Sequence, residues 1–254
     1  QDSSLVKTTN FSKPKYIGDP LNAVRIFNEK SVDELIILDI DATSKSKPID
    51  YELISMIAQE CQMPLCYGGG IKNIEQVERL ISLGIEKIAI SSSAYLSPSL
   101  IEESSKRIGK QSIVVVIDVK KNRLFNSNYE VFINNGKKRI KQNVKTYAKK
   151  MEDLGAGEIV INNIDLDGTM QGYDYKLIDQ VQPFISIPLT ILGGAKDYTD
   201  ISNLIKRYGV IGASGGSLFV FKGKYKAVLI QYLDSIEKEK LLSNSIKCFF
   251  NSNK

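Results

Sequence analysis

Two glycine-rich stretches carry the clearest chemical signal. PLCYGGGI (64–71) contains Gly69-Gly70, and PLTILGGA (188–195) contains Gly193-Gly194, 124 positions further on. Each pair is followed by a run of small residues, Ser91-Ser92-Ser93 in the first case and Gly215-Gly216-Ser217 in the second. Glycine lets a ligand approach the backbone closely, and exposed N–H groups bind anions. Gly193 and Gly194 with Gly216 and Ser217 therefore form one candidate phosphate cradle. Gly69 and Gly70 with Ser92 and Ser93 form a second. The plain alternative is a set of tight turns, but two matched copies point to phosphate. Two cradles imply a substrate with a phosphate at each end and its reacting middle between them.

Histidine is absent from the chain. That excludes Ser-His-Asp and Cys-His catalysis and any histidine-based metal site. Acid–base work must fall to carboxylates, Lys, Tyr or Cys. Asp118 ends the apolar run SIVVVID, Asp39 and Asp41 end LIILDID, and Asp165 and Asp167 follow IVINN. A half-desolvated carboxylate acquires a raised pKa and serves as acid or base. Each of these could equally cap a loop. Lys7 reads either as a phosphate contact or as a solvated lysine. Glu34, Lys87 and Glu158 each open an apolar run. Charges of both signs there read as a salt-bridged plug, or as a gate for a small polar molecule.

These residues need a scaffold. Apolar runs fall at Glu34–Asp41, Met63–Tyr67, Lys87–Ser91, Ser112–Asp118, Glu158–Asn162, Ile187–Leu192 and Val210–Ala213. Helical periodicity lies between them, over Pro20–Lys30, Tyr51–Gln62, Ile74–Gly84, Ser99–Gly109, Val144–Gly155, Tyr173–Val181 and Thr199–Tyr208. Alternation of this kind predicts βα units around a parallel sheet covered on both faces. Seven strands are one short of a (β/α)₈ barrel. QDSSLVKTTNF reads as a loop, so the first strand is expected just before Gln1.

The glycine pairs belong to a longer repeat. Asp41-Ala42-Thr43 matches Asp167-Gly168-Thr169, Pro64 matches Pro188, and Ser93 matches Ser217, with the offset held at 124 to 126 through about 60 residues. The reading is an α/β, (β/α)₈ TIM barrel made of two half-barrels. Its site lies where strands end, with Asp167, Gly168 and Thr169 among the residues expected to contact substrate. Residues 1–232 are expected to form the barrel and residues 233–254 a C-terminal extension.

Composition is that of a soluble globular chain, with 34 basic and 29 acidic residues. Its basic clusters, such as Lys137-Lys138-Arg139, lack interleaved aromatics, so no nucleic-acid partner is expected. No apolar run reaches the roughly 20 residues of a membrane span. Cys61, Cys66 and Cys248 have no metal-ligand spacing, which fits free thiols in a cytoplasmic protein. No metal and no cofactor are expected.

At these positions the sequence resembles the cyclase subunit of imidazole glycerol phosphate synthase. The resemblance runs from Leu5 to about Ile230, through VKTTNF (6–11), IGDP (17–20), DELIILDI (33–40), YGGGI (67–71), SPSL (97–100), VVVIDVK (114–120), GAGEIVINNIDLDGTMQGYD (155–174), LGGA (192–195) and GSLFVF (216–221). It implies a half-barrel-symmetric (β/α)₈ fold. It also implies a glutaminase partner that delivers ammonia, and a bisphosphorylated formimino ribotide as acceptor. The products are imidazole glycerol phosphate and aminoimidazole carboxamide ribotide. Two aspartates act as acid and base. Asp118 matches one, and the other would precede Gln1. Glu34, Lys87 and Glu158 match the ammonia gate, and Lys7 a substrate-handling loop lysine. The chain departs from the family pattern at Ser3-Ser4, Thr8, Ser91, Asn162 and Leu192, all near the substrate. A paralogue group with VKTTNF-type loops shares these features and is associated with surface-polysaccharide synthesis, where ammonia passes to a protein that amidinates an acetamido sugar. A third expectation, from a different class, is a docking partner that only activates a glutaminase.

Overall fold

Helices begin where a short oxygen-bearing side chain precedes an apolar-periodic stretch. Asp19, Asp50, Asn73, Asn143, Asp174 and Asp197 each accept a hydrogen bond from a backbone N–H in the first turn that follows. Those donors have no helical carbonyl to reach, and the cap supplies one acceptor. In the computed structural model, which describes residues 1–122 and 128–252, the helices Pro20–Glu29, Tyr51–Glu60, Ile74–Ser82, Ser99–Ile108, Val144–Asp153, Tyr175–Val181 and Tyr198–Tyr208 follow the sequence expectation closely.

The strands in chain order are β1 (Leu5–Thr9), β2 (Ser12–Gly18), β3 (Leu35–Leu38), β4 (Leu65–Gly68), β5 (Lys87–Ile90), β6 (Ile113–Lys121), β7 (Tyr129–Ile133), β8 (Lys138–Asn143), β9 (Glu158–Asn163), β10 (Leu189–Leu192) and β11 (Gly212–Ala213). Seven are parallel, in the order β3-β4-β5-β6-β9-β10-β11. The sheet is curled, as one contact set demonstrates. Lys87 on β5 bonds both Glu34, just before β3, and Glu158 on β9, each at 2.9 Å. Both partners lie two strands from β5. A flat sheet would hold them about 9–10 Å away, so all three side chains must converge inside a curve. This is the parallel sheet of a (β/α)₈ TIM-barrel fold.

Alternation along the strands then separates two cores. Val114 and Val116 on β6 point inward and pack with Cys66, Ala89 and Val160. Ile113, Val115 and Ile117 point outward and join the larger core beneath the helices, with Leu80, Ile101, Met151 and Ile178. The inner column is thus a narrow packed stack of small apolar side chains.

Four local readings are corrected. The opening segment read as a loop is strand β1, paired antiparallel with β2. Val6, Thr8 and Thr9 favour extended backbone, and Asn10 and Phe11 make the turn with φ of 52° and 58°. The strand expected through Asp41 stops at Leu38, because Asp39 accepts from the N–H groups of Asp41 and Ala42 and starts a helix over Ile40–Ser44. An antiparallel hairpin, β7 and β8, extends β6 outside the alternating pattern. The last expected strand shrinks to Gly212–Ala213, with Val210 fully exposed before it.

The C-terminal segment docks on its own chain. Its helix, Ser235–Ser252, lies against Tyr198–Tyr208, where the hydroxyls of Ser202 and Ser245 meet at 2.8 Å. The ring of Phe249 fills the space beside Gly209. Lys238 and the Tyr232 hydroxyl both bond the Asp33 carboxylate at 2.7 Å. Residues 253 and 254 of the expected extension lie outside the described residues. Among the described residues, no helix is long and apolar enough to cross a membrane.

Candidate functional site at the strand ends

The inner column has a charged end and a glycine-rich end. At the start of the strands, Lys87 sits between Glu34 and Glu158, and Glu158 also accepts from the Thr190 hydroxyl at 2.7 Å. All three expected gate residues are therefore in one cluster. Burial works against the Lys87 charge, but the hydrogen bonds it donates to Glu158 and Glu34 outweigh it and hold its pKa above the ordinary lysine value.

Asp118 lies at the other end of the same column, two inward positions beyond Val114 on β6. It is 7% exposed. Asn162, its register neighbour on β9, donates from Nδ2 to Asp118 Oδ1 at 3.0 Å, and the Ser91 hydroxyl reaches Oδ2 at 3.4 Å. Burial pushes the Asp118 carboxyl up to about 7; the bonds from Asn162 and Ser91 pull the other way, and the charge of Asp167 adds to the rise. A carboxyl held there exchanges its proton at neutral pH, as a general acid or base must.

At the same end of the sheet the second glycine pair builds a corner. Gly193 and Gly194 leave β10 with φ of 95° and 101°, a backbone region open to glycine. Gly194 runs so close to the Gly172 carbonyl that a Cβ would collide with it. Gly216 and Ser217 close the corner from β11, and Lys7 lays its alkyl chain over Gly216. The Ser217 hydroxyl is buried and has no hydrogen-bond partner among the described residues. Lys7 Nζ reaches Asp167 at 2.5 Å. Asp167 also accepts from the Thr8 hydroxyl at 2.8 Å, and its carbonyl accepts from the Asn10 N–H. It thereby ties the β1–β2 hairpin over the strand ends. Gly168, beside it, presses on the Thr8 backbone. Thr169 donates to the Leu166 carbonyl within the loop.

The first glycine pair is furnished differently. Ser93 donates its hydroxyl proton to the Ile71 carbonyl, and Ser92 Oγ accepts from the Asn134 backbone N–H at 2.9 Å. The remaining candidate carboxylates have structural duties. Asp39 caps a helix, buried Asp41 accepts from Asp2 N–H and Lys45, and Asp165 accepts from Lys121 N–H. Sequence reading named Asn162 as a departure but not as a partner of Asp118. Their shared register, two inward-facing polar residues on adjacent parallel strands, was the available signal.

A curled parallel sheet with a charged cluster at one end and a carboxylate among glycine loops at the other defines a protein of the α/β-barrel class. The match to a family model settles which branch: residues 1–226 match the histidine biosynthesis protein family, and the chain belongs to it. It is 51% identical over 242 residues to a Vibrio vulnificus protein, covering 95% of this chain and 93% of that one. Identity is also 51% over 241 residues with a Leptospira borgpetersenii protein, covering 95% and 94%. Both are named "Putative imidazole glycerol phosphate synthase subunit", hisF3 in the first and HisF in the second. A Lactococcus lactis subsp. cremoris protein, 37% identical over 219 residues, with 86% and 84% covered, is named "Imidazole glycerol phosphate synthase subunit HisF".

Proposed function

We propose that this chain is the ammonia-accepting synthase subunit of a cytoplasmic glutamine amidotransferase complex. A glutaminase docks where Glu34, Lys87 and Glu158 meet, and ammonia passes along the inner column to Asp118. The acceptor is a phosphorylated small molecule, gripped at the corner formed by Gly193, Gly194, Gly216, Ser217 and Lys7. Asp118 moves the proton.

One observation carries this reading. The Lys87 cluster and Asp118 occupy opposite ends of a single inward face, with only apolar side chains between them on β6. An apolar lining favours ammonia over ammonium, because charge is costly where water is excluded. A non-catalytic docking partner has no use for a carboxyl tuned near neutrality.

The first acceptor to consider is the bisphosphorylated formimino ribotide of the family reaction. The second is a different molecule, served by a paralogue that hands ammonia onward for amidination of an acetamido sugar. The ring around Asp118 favours the second: Ser91, Asn162 and Leu192 all depart from the family pattern at the place where the acceptor would react. The test is consumption of the formimino ribotide with ammonium chloride as the nitrogen source. Turnover that disappears in Asp118→Asn identifies the first acceptor. No turnover, in a protein that still binds phosphate, identifies the second. Loss of both properties would overturn the reading altogether.

A further inference from the structure

Asn162 is 4% exposed and is the register neighbour of Asp118, yet half of its side-chain amide is unused. Nδ2 donates to Asp118 Oδ1 at 3.0 Å, while Oδ1 is buried and has no hydrogen-bond partner among the described residues. A buried acceptor left without a donor is costly, and such atoms are few in folded proteins. The amide gains nothing by turning round while Asp118 is ionised. That would set its oxygen against a carboxylate oxygen, two acceptors with no proton between them.

The surroundings narrow what fills this place. Asp118 is 7% exposed, and an ionised carboxylate only accepts. The inward positions on the flanking strands bring no spare side-chain donor. Leu192 on β10 is apolar and packs with the inner column, and Ser91 on β5 donates its hydroxyl to Asp118 Oδ2 at 3.4 Å. The pair therefore presents acceptors and calls for a small species rich in donors. Water has as many lone pairs as protons. Ammonia has more N–H groups than lone pairs, and ammonium has only N–H groups. The pair also stands at the far end of the apolar inner column from the Lys87 cluster.

We propose that Asn162 Oδ1 and the Asp118 carboxylate together form a holding site for the nitrogen nucleophile, Asn162 being its positioning residue. One N–H of an ammonium ion points to Asn162 Oδ1 and another to Asp118. Asp118 then takes that second proton. The N–H bond breaks, its electron pair stays on nitrogen, and an O–H bond forms on the carboxyl. Ammonium and carboxylate become ammonia and carboxylic acid, with the freed lone pair ready for the acceptor. The inference rests on the proposed passage of ammonia along the inner column. It goes beyond that reading by assigning Asn162 the task of binding the nitrogen.

The test is a titration of the natural protein with ammonium chloride, followed by NMR at the Asn162 side-chain amide and the Asp118 carboxyl carbon. Potassium chloride at the same ionic strength is the control, because potassium is of similar size and has no N–H. The expected result is saturable movement of both signals with ammonium and none with potassium. In Asn162→Leu the apparent affinity read at Asp118 should fall about 10-fold or more, the scale of one lost hydrogen bond to a charged group. Backbone signals of β6 and β9 report whether that variant keeps its fold, and the ammonium-against-potassium comparison stands without it. Equal movement with potassium, or an unchanged affinity in a folded Asn162→Leu, would overturn the inference. Inorganic phosphate added to the same samples separates the two levels of the account. If phosphate binds and ammonium does not, the holding site fails and the phosphate corner stands. If neither binds, the wider reading fails and the inference with it.

Discussion

Asn162 Nδ2 donates to Asp118 Oδ1 at 3.0 Å, and the two residues sit side by side in the register of β9 and β6. The bond opposes the effect of burial, since it stabilises the charged form that burial disfavours. The Asn162 side-chain carbonyl oxygen, also buried, has no partner among the described residues. Asn162 thus presents an acceptor to whatever occupies the space beside Asp118.

Replacing Asn162 by Leu removes the donor and keeps the volume. A hydrogen bond to a charged group contributes roughly 1.5–3 kcal/mol, and one pKa unit corresponds to about 1.4 kcal/mol. The Asp118 midpoint should rise by roughly 1–2 units in Asn162→Leu. Carboxyl ¹³C NMR of the variant reads it directly, and an unmoved midpoint would show that the bond does not control the acid.

Burial of Asp118 also bears on stability. Its folded value of about 7 lies above its ordinary value of 3.8. The neutral form is thus the one the fold favours. Below about pH 4 the residue costs nothing. Between pH 4 and 7 the unfolded chain ionises first, and stability falls; above pH 7 the loss is constant. Asp118→Asn should therefore unfold at a higher temperature than the natural protein, by an amount that grows from pH 4 to 7 and then levels, on the order of a few kcal/mol. Melting curves across that range test it. A difference independent of pH would contradict the assigned burial cost.

Much of this arrangement was legible in the sequence. The repeat placed Gly193 with Ser217 and Glu34 with Glu158 at opposite strand ends, because strand polarity in a parallel sheet is uniform. The run SIVVVID marked Asp118 as a strand-end carboxylate, and the structure turns it inward. The β1–β2 hairpin was not legible. Its residues SKPKYIG are exposed for most of their length, so no buried face imposes a period on them. The same holds for β8, where KRIKQN buries only Ile140. The partner of Ser92 was hidden for another reason. It belongs to a turn some 40 residues away in sequence, and only folding brings Asn134 to Ser92.

Lys7 links the proposed phosphate corner to Asp167. Lys7→Met should weaken phosphate binding about 10-fold or more, the scale of a lost charge-assisted bond. Isothermal titration with inorganic phosphate checks it. Unchanged affinity would leave Lys7 as a clamp on Asp167 alone.

Gly168 has a φ of 72° and faces the Thr8 carbonyl with no room for a Cβ. Gly168→Ala should lift the β1–β2 hairpin off the barrel. Hydrogen exchange in residues 5–18 should accelerate, while β6 and β9 stay protected. Equal protection in both proteins would refute that contact as the anchor.

At the charged end, Lys87→Met leaves Glu34 and Glu158 without their shared cation. Because the Lys87 pKa is raised, the cluster's contribution is fully present below the ordinary lysine value and fades only as pH climbs past the folded value. All three side chains are partly exposed, which limits the loss at pH 7 to about 1 kcal/mol. Chemical denaturation at pH 7 and 11 should show the difference between the two proteins shrinking at the higher pH. A difference that persists at pH 11 would assign the effect to packing.

The central claim is that ammonia meets a carboxyl able to exchange its proton at neutral pH. Site-resolved ¹³C NMR titration of Asp118 in the natural protein tests it most directly. The expected result is a midpoint near 7, absent from the spectrum of Asp118→Asn. A midpoint near 4 would mean an ordinary ionised carboxylate, and Asp118 could not serve as the acid this reading requires.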